Sequence, residues 1–155
     1  MTNYCIDTSS IIDAGERNYP PDVFPGFWTN MDALIGADRL KAPEMLLDEL
    51  KKKTDEWRQW VYDREASLII RVDEPILSAM PDVVDIYTKQ RVKPDNLTGD
   101  PFFIATAKVH GLTLITSEKQ RPGGARILAI CHALGVRTIS LVGMLRQEGW
   151  KFGAI

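Results

Sequence analysis

The chain has 155 residues, 45% of them hydrophobic and 26% charged, with a formal net charge of −2. That length suits a single domain, residues 1–155, with a core buried between layers, and the composition excludes disordered and fibrous classes. So small a net charge also argues against a protein that coats nucleic acid through its overall charge.

No window approaches the roughly 18 consecutive apolar residues of a membrane-spanning helix, so no membrane association is expected. Met1 to Asp7 lacks a basic region followed by an apolar stretch, so no signal peptide is expected and a cytoplasmic location is. Cys5 and Cys131 sit in apolar segments and read as buried free thiols of a reducing compartment. With His110 and His132 they make no zinc-ligand spacing.

In chain order, residues 3–7 read as a short buried strand ending at Asp7. A helix starts over Thr8 to Ala14, followed by a loop marked by Tyr19-Pro20-Pro21 and closed by Pro25. Residues 26–37 carry apolar side chains at Phe27, Trp28, Met31, Leu34 and Ile35, the spacing of an amphipathic helix. Arg39 to Ala42 reads as a brief strand. Pro43 then suits a first helical position, opening a helix over 43–64 with a break near Thr54. Ser67 to Val72 is an apolar run whose type the pattern leaves open. Residues 74–88 read as helix and Lys89 to Gly99 as a polar stretch. Asp100-Pro101 opens a helix that runs to His110 and stops at Gly111. A strand over 112–116, a loop with Pro122-Gly123-Gly124, a helix over 126–134, a strand over 136–141 and a helix over 142–148 complete the chain. Helices alternating with short strands predict a parallel sheet with right-handed crossovers, covered on both faces. The expected architecture is a three-layer α/β/α sandwich, with ligands bound at the carboxyl ends of the strands.

That rule selects acids. Asp7 lies at the carboxyl end of the first strand and Glu118 two residues beyond Thr116. Asp100 lies at the N-terminus of the helix leading into that strand, which is the same edge of the sheet. With Leu46, Leu47 and Leu50 as the buried stripe, about 100° per residue puts Glu49 on its flank and Asp48 nearly opposite, so Glu49 is the fourth candidate. Carboxylates gathered closely repel one another unless protonated or neutralised, and a hard divalent ion such as Mg²⁺ or Mn²⁺ prefers oxygen ligands. Each acid has an ordinary role beside this one. Asp7 and Asp100 are good helix N-caps, while Glu49 and Glu118 suit a solvated helix face and a loop.

Four stretches in this order resemble the PIN-domain superfamily, in particular a small prokaryotic PIN-like family similar to VapC-like ribonucleases of the toxin type. They are Tyr4-Cys5-Ile6-Asp7-Thr8-Ser9-Ser10, Pro43 to Leu50, Asp100 to Ala107, and Leu114-Ile115-Thr116-Ser117-Glu118. The likeness spans nearly the whole chain. It departs from the usual pattern at Glu118, where PIN domains mostly carry Asp, and in the long loop Asp13 to Pro25. The resemblance implies an Mg²⁺- or Mn²⁺-dependent endoribonuclease with Asp7, Glu49, Asp100 and Glu118 as catalytic metal ligands. It also implies an RNA substrate, an antitoxin partner and a homodimer. Ser9 and Thr116 are placed to orient carboxylates or water or to make local turn bonds.

Lys51, Lys52 and Lys53, then Lys89, Arg91 and Lys93, then Lys119, Arg121 and Arg126 flank the acids and could contact phosphates. Trp28, Trp57 and Trp60 read as core or dimer contacts. Two rival readings are a PIN-like module without catalysis and a phosphatase with an aspartyl nucleophile. The second lacks the further Asp two positions after Asp7. No P-loop and no Gly-x-Ser-x-Gly elbow is present.

Overall fold

The computed structural model describes residues 1–53, 55–90, 100–116 and 127–153, with the backbone only at Asp100. Five parallel strands form one sheet in the order β3-β2-β1-β4-β5. They are β1 (Tyr4–Ile6), β2 (Leu40–Pro43), β3 (Ile69–Ile70), β4 (Thr113–Ile115) and β5 (Thr138–Ile139). The central strand β1 is wholly buried, as a parallel strand covered on both faces must be.

Between the strands run α1 (Thr8–Asp13), α2 (Pro25–Gly36), α3 (Met45–Lys51), α4 (Asp55–Tyr62), α5 (Glu65–Leu68), α6 (Glu74–Lys89), α7 (Asp100–His110) and α8 (Ile127–Ala133), with α9 (Leu141–Glu148) last. The sheet grows from β1 through β2 to β3 in one direction, then from β4 to β5 in the other. Right-handed crossovers therefore put α1 to α5 on one face and α6 to α8 on the other. Packing of α1 on α3 and α2 on α5, and of α6 on α7 and α8, follows that division. The result is the expected three-layer α/β/α sandwich. No described helix is long and apolar enough to cross a membrane.

Local chemistry sets the boundaries. Asp7, Asp73 and Ser140 are N-caps whose side chains accept from Ser10 N, Ile76 N and Gly143 N, each filling an orphan donor of a first turn. Gly111, Gly135 and Gly149 take positive φ at the ends of α7, α8 and α9. The expected helix from Pro43 is corrected. Pro43 closes β2 opposite Ile70, and α3 begins only at Met45. Pro lacks an N–H, but the β1–β2 ladder ends at Lys41, so the strand can end on it. The break near Thr54 separates α3 from α4, and Thr54 itself lies outside the described residues. The apolar run from Ser67 is divided between the end of α5 and the two residues of β3.

The expected loop after Ala14 instead continues as a π-helical turn, Ala14–Asn18, closed by Tyr19 N donating to Ala14 O at 2.7 Å. The wider turn admits an indole. A Cβ on Gly15 would lie 2.0 Å from Trp57 Cζ2, so only glycine fits there. Trp57 stacks on Trp28 at 4.8 Å, and Trp60 meets Trp28 edge-on at 5.3 Å. The tryptophans are thus core contacts.

At the amino edge of the sheet a clasp joins the chain's two ends. Arg39 makes a two-pronged contact with Glu148 at 2.7 and 2.8 Å and donates to Thr2 O, while Tyr4 Oη donates to Glu148 Oε2 at 2.7 Å. Burial, with the Glu148 carboxylate beside it, pushes the Tyr4 phenol up. The Arg39 guanidinium holds the Glu148 carboxyl below its ordinary value.

Gly15→Ala is expected to destabilise the fold by about 1–3 kcal/mol, as overpacking does, in chemical denaturation followed by tryptophan fluorescence. An unchanged midpoint and spectrum would contradict the close approach. Because the folded pKa of Glu148 is depressed, its contribution is complete above the unfolded carboxyl value of about 4.3 and is lost as pH falls through the lower folded value. Glu148→Gln should therefore be less stable than wild type at pH 7, with the gap in melting temperature closing in acid. A gap constant with pH would count against the clasp.

Candidate functional site

Strand order reverses between β1 and β4. Helices leave these neighbouring strands toward opposite faces and open a crevice beyond their carboxyl ends. Asp7 and Thr116 are the residues that border it. Ile6 pairs with Ile115, so Asp7 and Thr116 stand side by side one step further on. Asp7 N donates to Ile115 O at 3.3 Å, and Thr116 N to Ile139 O at 3.1 Å. Thr116 is buried and Asp7 half-buried.

Asp7 is set by the turn it caps. Its φ and ψ of −87° and 164° are extended, and Oδ1 accepts from Ser10 N at 2.8 Å. That bond fixes the carboxylate at the mouth of the crevice. Its field reaches inward as well. Burial pushes the Cys5 thiol far up, and the Asp7 charge pushes it the same way, so Cys5 is an inert core thiol.

Glu49 lies on α3, which packs against α1 in the same layer. The helix buries Leu46, Leu47 and Leu50 and leaves Asp48 exposed, while Glu49 is half-buried with Oε1 enclosed. Asp100 is the first residue of α7. That helix ends at His110, just before the amino end of β4, so its first residue lies toward the carboxyl edge. The Asp100 side chain and Glu118 lie outside the described residues, and so do Arg91, Lys93, Lys119, Arg121 and Arg126. Backbone geometry thus brings Asp7 and Thr116 together, sets the helix of Glu49 beside that of Asp7, and starts the helix of Asp100 on the same edge. Among the residues with described side chains, no three of His, Cys, Asp and Glu form a metal-holding group.

Two residues at this rim escaped the sequence reading. Ser9 is exposed, whereas its neighbour Ser10 is buried and carries the local bonding. Besides capping, Ser10 Oγ donates to Ile115 O at 3.4 Å. The i to i+3 reach of an N-cap points to Ser10 rather than Ser9. Glu44 follows β2 as Asp7 follows β1. Its Oε1 accepts from Val72 N at 2.7 Å and its Oε2 meets Arg71 Nη1 at 3.4 Å, while Arg71 also pairs with Glu65. Glu44 therefore ties the ends of β2 and β3 together.

The donors at and around this rim are carboxylates and a threonine hydroxyl, an all-oxygen set of the kind hard divalent ions take. In that respect the residues fit Mg²⁺ or Mn²⁺.

A family model described as Domain of unknown function (DUF4411) matches residues 4–152. No curated protein matches by sequence. Among solved structures the chain is similar to DNA-bound VapBC from Salmonella typhimurium, with a TM-score of 0.61 at 15% identity over 90% of this chain and 98% of that one. It is similar also to FitAcB from Neisseria gonorrhoeae, at 0.56 and 18% over 88% and 96%. VapBC2 from Rickettsia felis, bound to a fragment of promoter DNA, gives 0.58 and 15% over 90% and 98%. At these identities the likeness is one of fold, and the fold is PIN-like.

Asp7→Ala removes the cap acceptor and is expected to cost about 1 kcal/mol of stability. Asp7→Asn keeps a side-chain oxygen at the cap and should melt close to wild type. Thermal melts of both in chelator check this, and equal losses in the two variants would show that the cap bond is not what holds Asp7.

Proposed function

The chain belongs to the DUF4411 family, and from its own geometry we propose that it is a metal-dependent PIN-type ribonuclease that hydrolyses RNA phosphodiester bonds. The observation that carries this reading is the placement of Asp7 and Thr116 directly after the paired residues Ile6 and Ile115, at the carboxyl ends of the adjacent strands β1 and β4. The helices of Glu49 and Asp100 supply further acids to the same edge. Asp7, Glu49, Asp100 and Glu118 would hold Mg²⁺ or Mn²⁺. When bound, such an ion lowers the pKa of a water and offsets charge on the phosphate oxygens.

The chain's own contribution is positioning. The Ser10 N–H fixes one oxygen of Asp7, which limits the rotamers open to the carboxylate. The Thr116 hydroxyl, beside Asp7, would orient a carboxylate or the attacking water. RNA also has to be held against an acidic rim. Lys51, Lys52 and Lys53 are exposed just beyond Glu49 and make no ion pair among the described residues. They would meet the phosphate backbone. The VapBC and FitAcB complexes support a toxin-type role with an antitoxin partner, because they share this fold, and a homodimeric assembly belongs to the same proposal.

Defined RNAs incubated with Mn²⁺, with and without chelator, test the chemistry. Wild type should cleave only with metal. Asp7→Asn and Asp100→Asn should each lose at least about a hundredfold in rate. Chelator-resistant cleavage, or undiminished cleavage by both variants, would reject the mechanism. A folded wild type that binds RNA but never cuts it would favour a non-catalytic module. Replacing Lys51, Lys52 and Lys53 together by Ala should raise KM and flatten its salt dependence while kcat holds. A fall in kcat alone would place these lysines elsewhere.

A further inference from the structure

A groove of about 530 Å³ opens at the opposite edge of the sheet, beside edge strand β5. Its floor is the amino ends of β4 and β5, where Thr113 and Thr138 lie. α8 forms a wall through Leu128 and His132, and the approach to β5 contributes Val136 and Arg137. The volume is in the range of small-molecule sites.

Its charge is one-sided. No aspartate or glutamate lines it among the described residues, although the chain carries 21 of them. Arg137 and His132 are both exposed, and neither pairs with a carboxylate among the described residues. The nearby acid Glu148 is held by Arg39 and Tyr4 and is already neutralised. Arg137 has its backbone fixed, because its carbonyl accepts from Leu114 N at 2.8 Å, so the guanidinium starts from a rigid base. A guanidinium fork, an imidazole and threonine hydroxyls together suit a phosphate. The exposed Leu128 offers apolar surface for a body attached to it.

We propose that this groove binds a phosphate monoester carried on a nucleoside, either a free mononucleotide or the 5′-phosphorylated end of an RNA strand. Arg137 grips the phosphate and His132 and the threonines complete its contacts. The site is separate from the acidic rim, and its existence does not depend on cleavage there.

Amide NMR of the full chain in chelator tests it, since the rim is then without divalent ion and hydrolysis does not intervene. The probes are adenosine 5′-monophosphate, adenosine, inorganic phosphate, and an RNA tetranucleotide with and without a 5′-phosphate. The monophosphate should shift the amides of His132 and of residues 135–139 saturably, and adenosine should not. Arg137→Glu should weaken binding by about tenfold or more, and His132→Ala should weaken it as well. Both side chains are exposed, so the variants should keep the wild-type melting temperature. Tighter binding of the 5′-phosphorylated tetranucleotide than of its 5′-hydroxyl form and of the mononucleotide assigns the groove to an RNA end. The mononucleotide binding tightest assigns it to a free ligand. No saturable shift at millimolar concentrations, shifts located away from β5, a response to inorganic phosphate alone, or equal binding by folded Arg137→Glu would overturn the proposal.

Discussion

The candidate site depends on the seam between β1 and β4. Ile115 O receives both the Asp7 backbone N–H and the Ser10 hydroxyl. One carbonyl thus holds the end of the first strand and the first turn of α1 against a strand more than a hundred residues later. The strand order reverses at that seam, so helices diverge from it and leave polar backbone and side chains facing an opening. Away from that reversal a strand-end acid can be tied to the neighbouring strand. Glu44, at the end of β2, is held by Val72 N and Arg71. Position relative to the reversal, more than residue type, is what distinguishes Asp7.

Most of the fold could be read from the sequence, because it rests on periodicity and caps. The apolar spacing of Phe27, Trp28, Met31, Leu34 and Ile35 places α2. Asp100-Pro101 and Gly111 bound α7, and the alternation in the second half gives parallel strands. Failures came where a tertiary contact overrides local preference. Pro43 looks like a helix opener, but the pairing of β2 with β3 holds it in the sheet. The π turn after Ala14 has no sequence signature of its own, since it exists to receive Trp57, an indole from a helix some forty residues away. As to position, the strand-end rule put Asp7 at the carboxyl end of β1, where it lies, and selected Glu118, which lies outside the described residues, while helical phase separated half-buried Glu49 from exposed Asp48. Pairwise bonding was not legible. Nothing in Ser9-Ser10 as a string says that only Ser10 reaches Ile115 O, and nothing in Glu44 says that it is tied to Val72.

The two edges of the sheet handle charge in opposite ways. At the amino edge the half-buried Glu148 is matched by a guanidinium and a phenol, so it ties α9 to the starts of β1 and β2 and presents no net charge. Among the described residues, the groove beside β5 is lined by Arg137 and His132 and by no acid. The carboxyl edge carries Asp7 after β1 and Asp100 at the start of α7. A parallel sheet with helices on both faces makes this division natural. Helix N-termini gather at the carboxyl edge, where their partial positive charge tolerates carboxylates.

The strand order also bears on when the rim can exist during synthesis. β1 is made first but sits in the middle of the sheet, with one neighbour at residues 40–43 and the other at residues 113–115. A nascent chain can pair β1 with β2 early, yet the crevice lacks its second wall until β4 has left the ribosome exit tunnel. Long-range strand pairing of this kind is slow relative to local helix formation. An activity housed at that seam would therefore stay off until β4 has emerged and paired with β1.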